Sequence, residues 1–285
     1  MKQYLDLLQR ELDEGVWKEN RTGIRTKGII GAHMQFDLQQ GFPIVTTKKT
    51  AFYTAIAEML GFWLGYSNAK QFRQLGCKVW DANANENKQW LANPNRKGTD
   101  DLGRIYGVQS RMWVEPPIEG ANSGWIDQLH KVYNHLKNGV DDRREIVTHW
   151  NPGELNQMAL PPCHLLYQFG IQGDELHLSM YQRSCDMALG VPFNITGYAW
   201  LLSVMAHITD LKVGTFNHFL HDVHIYENHI EGVEELLTRT PYKLPTLTIA
   251  ADIRSLEDMD TWVTPTDFRV RDYEHHPAIQ FDMAV

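Results

Sequence analysis

Two runs of alternating residues on either side of a short turn constrain this chain more than anything else in it. Residues 164–171 and 175–182 flank Gln172-Gly-Asp174, and in the second run Leu176, Leu178 and Met180 alternate with His177, Ser179 and Tyr181. Period-two patterning across a glycine-containing turn predicts a β-hairpin. Pro161-Pro162 stands before the first strand, and two locked φ angles fix how the backbone enters it. If the strands pair, Arg183, just past the second, comes to lie beside Cys163, just before the first.

The rest of the chain supplies helices and strands in no regular alternation. Tyr4, Leu5, Leu8 and Leu12 give residues 3–14 one apolar helical face. Gly28 to Leu38 reads as strand and Gly41-Phe-Pro43 as turn. Phe52, Ala55, Ile56, Met59, Leu60 and Trp63 make residues 50–64 a mostly buried helix. Glu58 lies inside it, and a carboxylate on an apolar face is either paired or functional. Residues 84–101 are polar, contain Pro94 and Gly98, and read as a surface excursion. Helices are predicted over 125–138, over 195–209 and over 222–237, the last with His224, Tyr226 and His229 near its start. Asp142-Arg-Arg144 reads as closing a helix end, and Arg183-Ser184 as ending a strand. This mixture predicts an α+β fold with a mixed β-sheet and flanking helices. No repeat, low-complexity tract or linker divides the chain, so a single domain over 1–285 is expected.

Composition narrows the function classes. A formal net charge of −8 argues against an electrostatic nucleic-acid binder, while a local basic site for a small anion is compatible with it. Cys77, Cys163 and Cys185 form an odd set without a C-x-x-C pair, which points to a reducing compartment rather than a disulfide framework. No apolar run approaches the ~20 residues of a membrane span. The opening residues are too interrupted by polar side chains for a signal peptide. The expectation is a soluble, cytoplasmic protein.

Four groups of side chains carry candidate chemistry. A lone cysteine in an apolar stretch is ordinarily a small core residue. Cys163, between a diproline and His164 and with Arg183 expected alongside, reads instead as a nucleophile, because a neighbouring guanidinium favours the thiolate. Cys77 and Cys185 lack such company and read as structural. Arg21, Arg143, Arg144 and Arg183-Ser184 offer guanidinium forks suited to phosphate oxygens. His224 and His229 are five residues apart, off one helical face and without the glutamate of a zinc protease, so no metal is expected. His224 and Tyr226 can hydrogen-bond a ribose hydroxyl instead. Glu58, His164 and Tyr106 could relay protons through water around a thiolate adduct. Asn194, with an amide that both donates and accepts, could read a polar heterocycle. Together they suggest a covalent enzyme acting on a phosphorylated pyrimidine.

Ten motifs in order make the chain resemble the folate-dependent thymidylate synthase family over nearly its whole length. They are Asn20-Arg-Thr-Gly23, Gly41-Phe-Pro-Ile-Val-Thr-Thr-Lys-Lys49, Val79-Trp-Asp-Ala-Asn83, Leu102-Gly-Arg-Ile-Tyr-Gly107, Asp142-Arg-Arg144, Ala159-Leu-Pro-Pro-Cys-His164, Tyr181-Gln-Arg-Ser184, Leu189-Gly-Val-Pro-Phe-Asn194, His224-Ile-Tyr226 and Met283-Ala-Val285. The resemblance implies a homodimer packed sheet to sheet. It implies dUMP held by Arg21, Gln182, Arg183 and Ser184 of one subunit and by Arg143 and Arg144 of its partner, with Asn194 reading the pyrimidine edge and His224 and Tyr226 the 3′-hydroxyl. Cys163 would attack uracil C6, and C5 would then take the methylene of 5,10-methylenetetrahydrofolate. Glu58 and His164 would organise water near O4, and Tyr106 would help remove the C5 proton. Val79, Trp80, Asn83, Asp186, Leu189, Gly190 and Phe193 would line the folate site. Asp186, Arg183 and Asn194 would also serve the chemistry, Lys48 would lie near the folate tail, and Val285 would close the lid with its carboxylate.

Four sites, five residues in all, depart from the family pattern. Gly61 and Ser110 stand where tryptophan is usual, His221 where glycine is usual, and Thr196-Gly197 where Ala-Ser is common. If these sites border the folate pocket, water could reach the exocyclic methylene formed after one-carbon transfer. The product would then be 5-hydroxymethyl-dUMP with tetrahydrofolate, as in related phage hydroxymethylases, instead of dTMP with dihydrofolate. Retained Trp80 favours the hydride route, and Asn194 argues against a cytosine substrate. A regulatory RNA-binding homologue is a third reading, opposed by the net charge and the intact thiol, arginines and Asn194.

Overall fold

The computed structural model describes residues 1–20, 22–115 and 124–282. Arg21 and Val285 therefore lie outside the described residues. In chain order the elements begin with α1 (Lys2–Glu14), β1 (Val16–Lys18), β2 (Thr26–Asp37) and α2 (Phe52–Trp63). Short helices follow: α3 (Ala69–Gln74), α4 (Asp81–Asn85), α5 (Lys88–Leu91) and α6 (Tyr106–Arg111). Then come β3 (Trp113–Val114), β4 (Trp125–Ile126), α7 (Gln128–Lys137), β5 (Ile146–Thr148), β6 (His164–Gln172), β7 (Glu175–Asp186), α8 (Gly190–Ile208) and β8 (Lys212–Tyr226). The chain ends with α9 (Ile230–Thr238), β9 (Thr246–Ile249), α10 (Leu256–Thr261) and β10 (Phe268–Arg271).

A six-stranded mixed sheet in the order β1-β2-β8-β7-β6-β5 is the frame, which makes the fold α+β as expected. Every neighbouring pair is antiparallel except β7 and β8, which run parallel. Parallel neighbours need a crossover, and α8 supplies it. That helix is apolar nearly all round and buried along its length, as a helix wedged between a sheet and another helix must be. Tyr198 on α8 stacks on Phe216 of β8 with ring centres 6.0 Å apart. Edge to face, it meets Tyr167 of β6 at 5.7 Å. α2 packs on the outer side of α8, where Trp63 meets Trp200.

Several sequence expectations need correction. His224 and Tyr226 do not open a helix; they end β8, and α9 begins only at Ile230. β8 is long and lies between two partner strands, so its pairing with β2 and β7 overrides the local helical spacing. Asp142-Arg-Arg144 does not close a helix, since α7 ends at Lys137 and these residues lead into β5. α7 begins at Gln128, after Trp125 and Ile126 have paired as β4. α8 starts at Gly190, five residues earlier than expected. Pro192 sits in its first turn, where a missing N–H costs nothing. β7 continues past Arg183 and Ser184 to Asp186. The 84–101 stretch contains α5, whose Trp90 is buried and donates to the Asp101 carbonyl at 2.7 Å.

α1 carries an unusual core residue. Glu11 is fully buried, and neither carboxylate oxygen has a hydrogen-bond partner. Burial, with Asp186 and Asp222 nearby, pushes its pKa up to about 9. No helix among the described residues is long and apolar enough to cross a membrane.

Candidate active site

The hairpin meets its expected partner. The Arg183 backbone N–H donates to the Cys163 carbonyl at 2.8 Å. The Arg183 guanidinium folds back on the diproline, with Nε donating to the Pro162 carbonyl at 2.8 Å and one terminal nitrogen to Pro161 at 3.0 Å. Trp150 lies under the guanidinium at 5.5 Å. The start of β6 and the end of β7 thus place a thiol and an anchored cation together, with terminal N–H groups left to receive an anion. Cys163 is half-buried and unbridged. Cys77 and Cys185 are fully buried, and burial raises both thiols, Cys77 to about 12, so neither is a reactive thiolate.

Tyr106 opens α6 under this corner, and its hydroxyl accepts the Cys163 backbone N–H at 2.7 Å. Burial raises its pKa well above the usual value. His164 is buried against Tyr106 and Tyr198, and burial holds its pKa well below the ordinary value, so the ring is neutral. Glu58 reaches the same space from α2. Its Oε1 accepts from Trp80 Nε1 at 3.0 Å, and burial lifts its pKa to about 7, with the Trp80 bond opposing. A carboxyl poised there can hold or release a proton at neutral pH.

A polar chain sits on the other side. Asn194, in the first turns of α8, accepts from Gln182 Nε2 at 3.0 Å, and Gln182 Oε1 lies 2.8 Å from His218 Nε2. This orients the amide so that its NH2 remains available as a donor. Ser184 and Asp186 follow on β7. Asp186 Oδ1 accepts the Ala188 and Leu189 backbone N–H groups at 3.1 Å, capping the turn that leads into Gly190 and Phe193. At the end of β8, His224 Nδ1 lies 3.0 Å from Asp222 Oδ1, and Tyr226 packs edge-on against His224.

With thiol, cation, amide and buried carboxyl at one end of the sheet, comparison with known proteins settles the kinship. The family model described as thymidylate synthase matches residues 2–285. The thymidylate synthases of Shewanella halifaxensis, Idiomarina loihiensis and Pasteurella multocida are 48%, 49% and 49% identical over 288 residues, covering all of this chain and all of theirs. The chain belongs to the thymidylate synthase family.

The residues that depart from the thymidylate synthase pattern fall mostly in packed interior. Gly61 is in the last turn of α2, and a side chain there would run into the Phe72 ring. Ser110 Oγ bonds the Tyr106 carbonyl at 3.1 Å and faces His149 Nε2 at 3.0 Å. Thr196 Oγ1 donates to the Pro192 carbonyl at 2.9 Å within α8, and Gly197 is covered by Met59. Only His221 is exposed, on the outer sheet face near Tyr181.

Lys48 is buried under α8 and donates to the Ala188 carbonyl at 2.7 Å, with Phe281 below its ammonium at 4.7 Å. Burial lowers its pKa to about 8. Val79 and Asn83 flank Trp80 around the start of α4, both half-buried. Arg143 and Arg144 are exposed, the former with φ +71°. Sequence reasoning missed His149, Trp150, His218 and the contact of His229 Nε2 with the Asp282 carbonyl at 2.8 Å. No local pattern marks any of them. Among the described residues, His135, Asp142 and Glu145 alone group metal-ligating atoms, within 4.8 Å of one another. His135 Nδ1 lies 3.1 Å from Glu145 Oε1, a pair that joins α7 to the start of β5.

Proposed function

We propose that the protein transfers a one-carbon unit from 5,10-methylenetetrahydrofolate to C5 of dUMP, giving dTMP and dihydrofolate. The observation that carries the site assignment is the Cys163–Arg183 corner, where the nucleophile and a pre-anchored cation share a backbone hydrogen bond. Cys163 Sγ adds to uracil C6, the ring electrons move toward O4, and C5 becomes nucleophilic enough to take the methylene. Glu58 with His164 steadies the charge developing at O4, and Tyr106 helps remove the C5 proton. With that proton gone, the bond from the methylene to the folate nitrogen breaks, releasing tetrahydrofolate and leaving an exocyclic methylene. Hydride from tetrahydrofolate, which becomes dihydrofolate, converts it to methyl, and loss of the thiolate restores the ring double bond. Arg183 and Ser184, with Arg21, bind phosphate. Asn194, positioned by Gln182, reads the ring edge, and His224 and Tyr226 take the ribose 3′-hydroxyl. Val79, Trp80, Asn83, Asp186, Leu189, Gly190 and Phe193 line the folate side, Lys48 supports it from beneath, and Val285 closes it.

The reading extends to a cytoplasmic homodimer of a single catalytic unit over 1–285. Leu166, Tyr181 and Phe219 lie in adjacent register on β6, β7 and β8, and all three are exposed on the sheet face. A second copy covering that row would place Arg143 and Arg144 at its neighbour's phosphate; a monomer in sedimentation would remove this part. Retention of Trp80, which donates to Glu58 at 3.0 Å, and full-length identity of 48–49% to thymidylate synthases support methylation over hydroxymethylation.

Incubation with dUMP and 5,10-methylenetetrahydrofolate, followed by mass spectrometry and absorbance, tests the reaction. Addition of CH2 with dihydrofolate is expected. Addition of CH2O without dihydrofolate would replace methyl transfer by hydroxymethyl transfer. Cys163→Ser is expected to lower turnover by at least about 10^4-fold while leaving dUMP binding in place; retained turnover would sink the covalent route.

A further inference from the structure

The strand that begins at the nucleophile does not run straight. His164 pairs with Gln182, but Leu166 pairs with Tyr181, so β6 carries one extra residue, Leu165, directly after the reactive end. Such a bulge disrupts the ladder locally and re-aims neighbouring side chains. Backbone carbonyls displaced from a ladder still need donors when buried. Here one residue serves two consecutive carbonyls. The His149 backbone N–H donates to Leu165 O at 2.8 Å, and its ring Nδ1 lies 2.9 Å from His164 O.

The ring has one consistent protonation pattern. A carbonyl only accepts, so Nδ1 carries the proton and Nε2 is left as an acceptor 3.0 Å from Ser110 Oγ, whose single hydrogen it shares in competition with the Tyr106 carbonyl at 3.1 Å. Burial lowers the ring's pKa to about 4, so it stays neutral and in this tautomer near neutral pH. The ring also meets Tyr106 edge to face at 5.2 Å, and the Tyr106 hydroxyl is the acceptor for the Cys163 N–H. His149 therefore touches both supports of the nucleophile, the bulge after it and the phenol beneath it.

We propose that His149 is a positioning residue for Cys163: its imidazole N–H clamps the His164 carbonyl, holds the bulge, and fixes the direction in which the thiol meets the pyrimidine. The inference rests on the reading of Cys163 as nucleophile. It predicts an effect on the covalent step rather than on nucleotide binding, since no dUMP contact is assigned to His149. Misplacement by about 1 Å can cost on the order of 100-fold in rate.

The test compares His149→Asn, whose amide can place a donor near the Nδ1 position, with His149→Leu, similar in bulk and without one. kcat, the dUMP dissociation constant, the thermal midpoint and the rate of iodoacetamide alkylation at Cys163 are measured on the full chain. Cys77 and Cys185 are buried, so alkylation reports Cys163. We expect His149→Leu to lose roughly 10- to 100-fold in kcat and to change its alkylation rate, with dUMP affinity within about threefold of the parent. His149→Asn should recover most of the kcat loss. Equal kcat in the two variants, or wild-type kcat in His149→Leu, would overturn the proposal. Cys163→Ser run alongside separates the failures. If it retains turnover, the nucleophile reading and this inference fall together; if it is inactive while His149→Leu is normal, only the inference falls.

Discussion

Glu58 on α2 and Glu11 on α1 are both carboxyls set into the buried faces of helices, and burial pushes both upward, to about 7 and about 9. Their surroundings differ. Glu58 accepts a hydrogen bond from Trp80 and shares its space with Tyr106, whose hydroxyl touches the backbone of Cys163, the proposed nucleophile. Glu11 has no partner for either oxygen, and its charged neighbours, Asp186 and Asp222, repel it. A displaced pKa alone therefore marks desolvation. What distinguishes a working group is a partner that tunes it back toward neutrality and a reacting atom within reach.

The largest expected difference between the two is in turnover. Glu58→Gln should lower kcat/KM by roughly 10^2- to 10^3-fold, the range of one positioned acid–base group, whereas Glu11→Met should leave it within about twofold. A comparable loss in both variants would erase the distinction. Stability should show the opposite ranking. Glu11 is protonated when folded and ionised when unfolded between its ordinary value of 4.5 and about 9. Unfolding then releases a proton, and the parent loses stability as pH rises through that window, by about 1.4 kcal/mol per unit. Glu11→Met removes this slope, so denaturant unfolding at pH 6 and pH 8 should show its advantage growing with pH; parallel curves would mean Glu11 is ionised in the fold. The smallest effect concerns Trp80. The acid form of Glu58 can donate toward a developing enolate oxygen, so kcat/KM should fall as pH rises through about 7. Trp80→Phe deletes the donor that favours the carboxylate, and that limb should move to higher pH. An unmoved limb would assign it to another group.

How much of this was legible in the sequence depends on the range of the forces involved. The 164–182 hairpin was readable because alternation and turn are local, and it placed Arg183 beside Cys163 without a structure. β8 was not readable. Flanked by β2 and β7, its end buries Val223, His224 and Ile225 in succession, and that stretch without alternation carries no strand signature. The interior substitutions were equally opaque. Gly61 and Ser110 looked like lost volume, yet Phe72 and His149, remote in sequence, stand against those positions. Trp90 hid within a polar stretch because one indole N–H finding the Asp101 carbonyl is a tertiary event.

The clasp between Arg183 and the two proline carbonyls bears on timing. A free arginine carries about 2 kcal/mol of rotamer entropy, and a phosphate arriving at such a side chain would have to arrest it. Here the guanidinium is already immobilised by Pro161 and Pro162 when the chain folds. The arrest occurs once in the lifetime of the molecule instead of at each encounter. Diffusing nucleotide then meets a stationary target, and the delay between collision and capture shrinks accordingly.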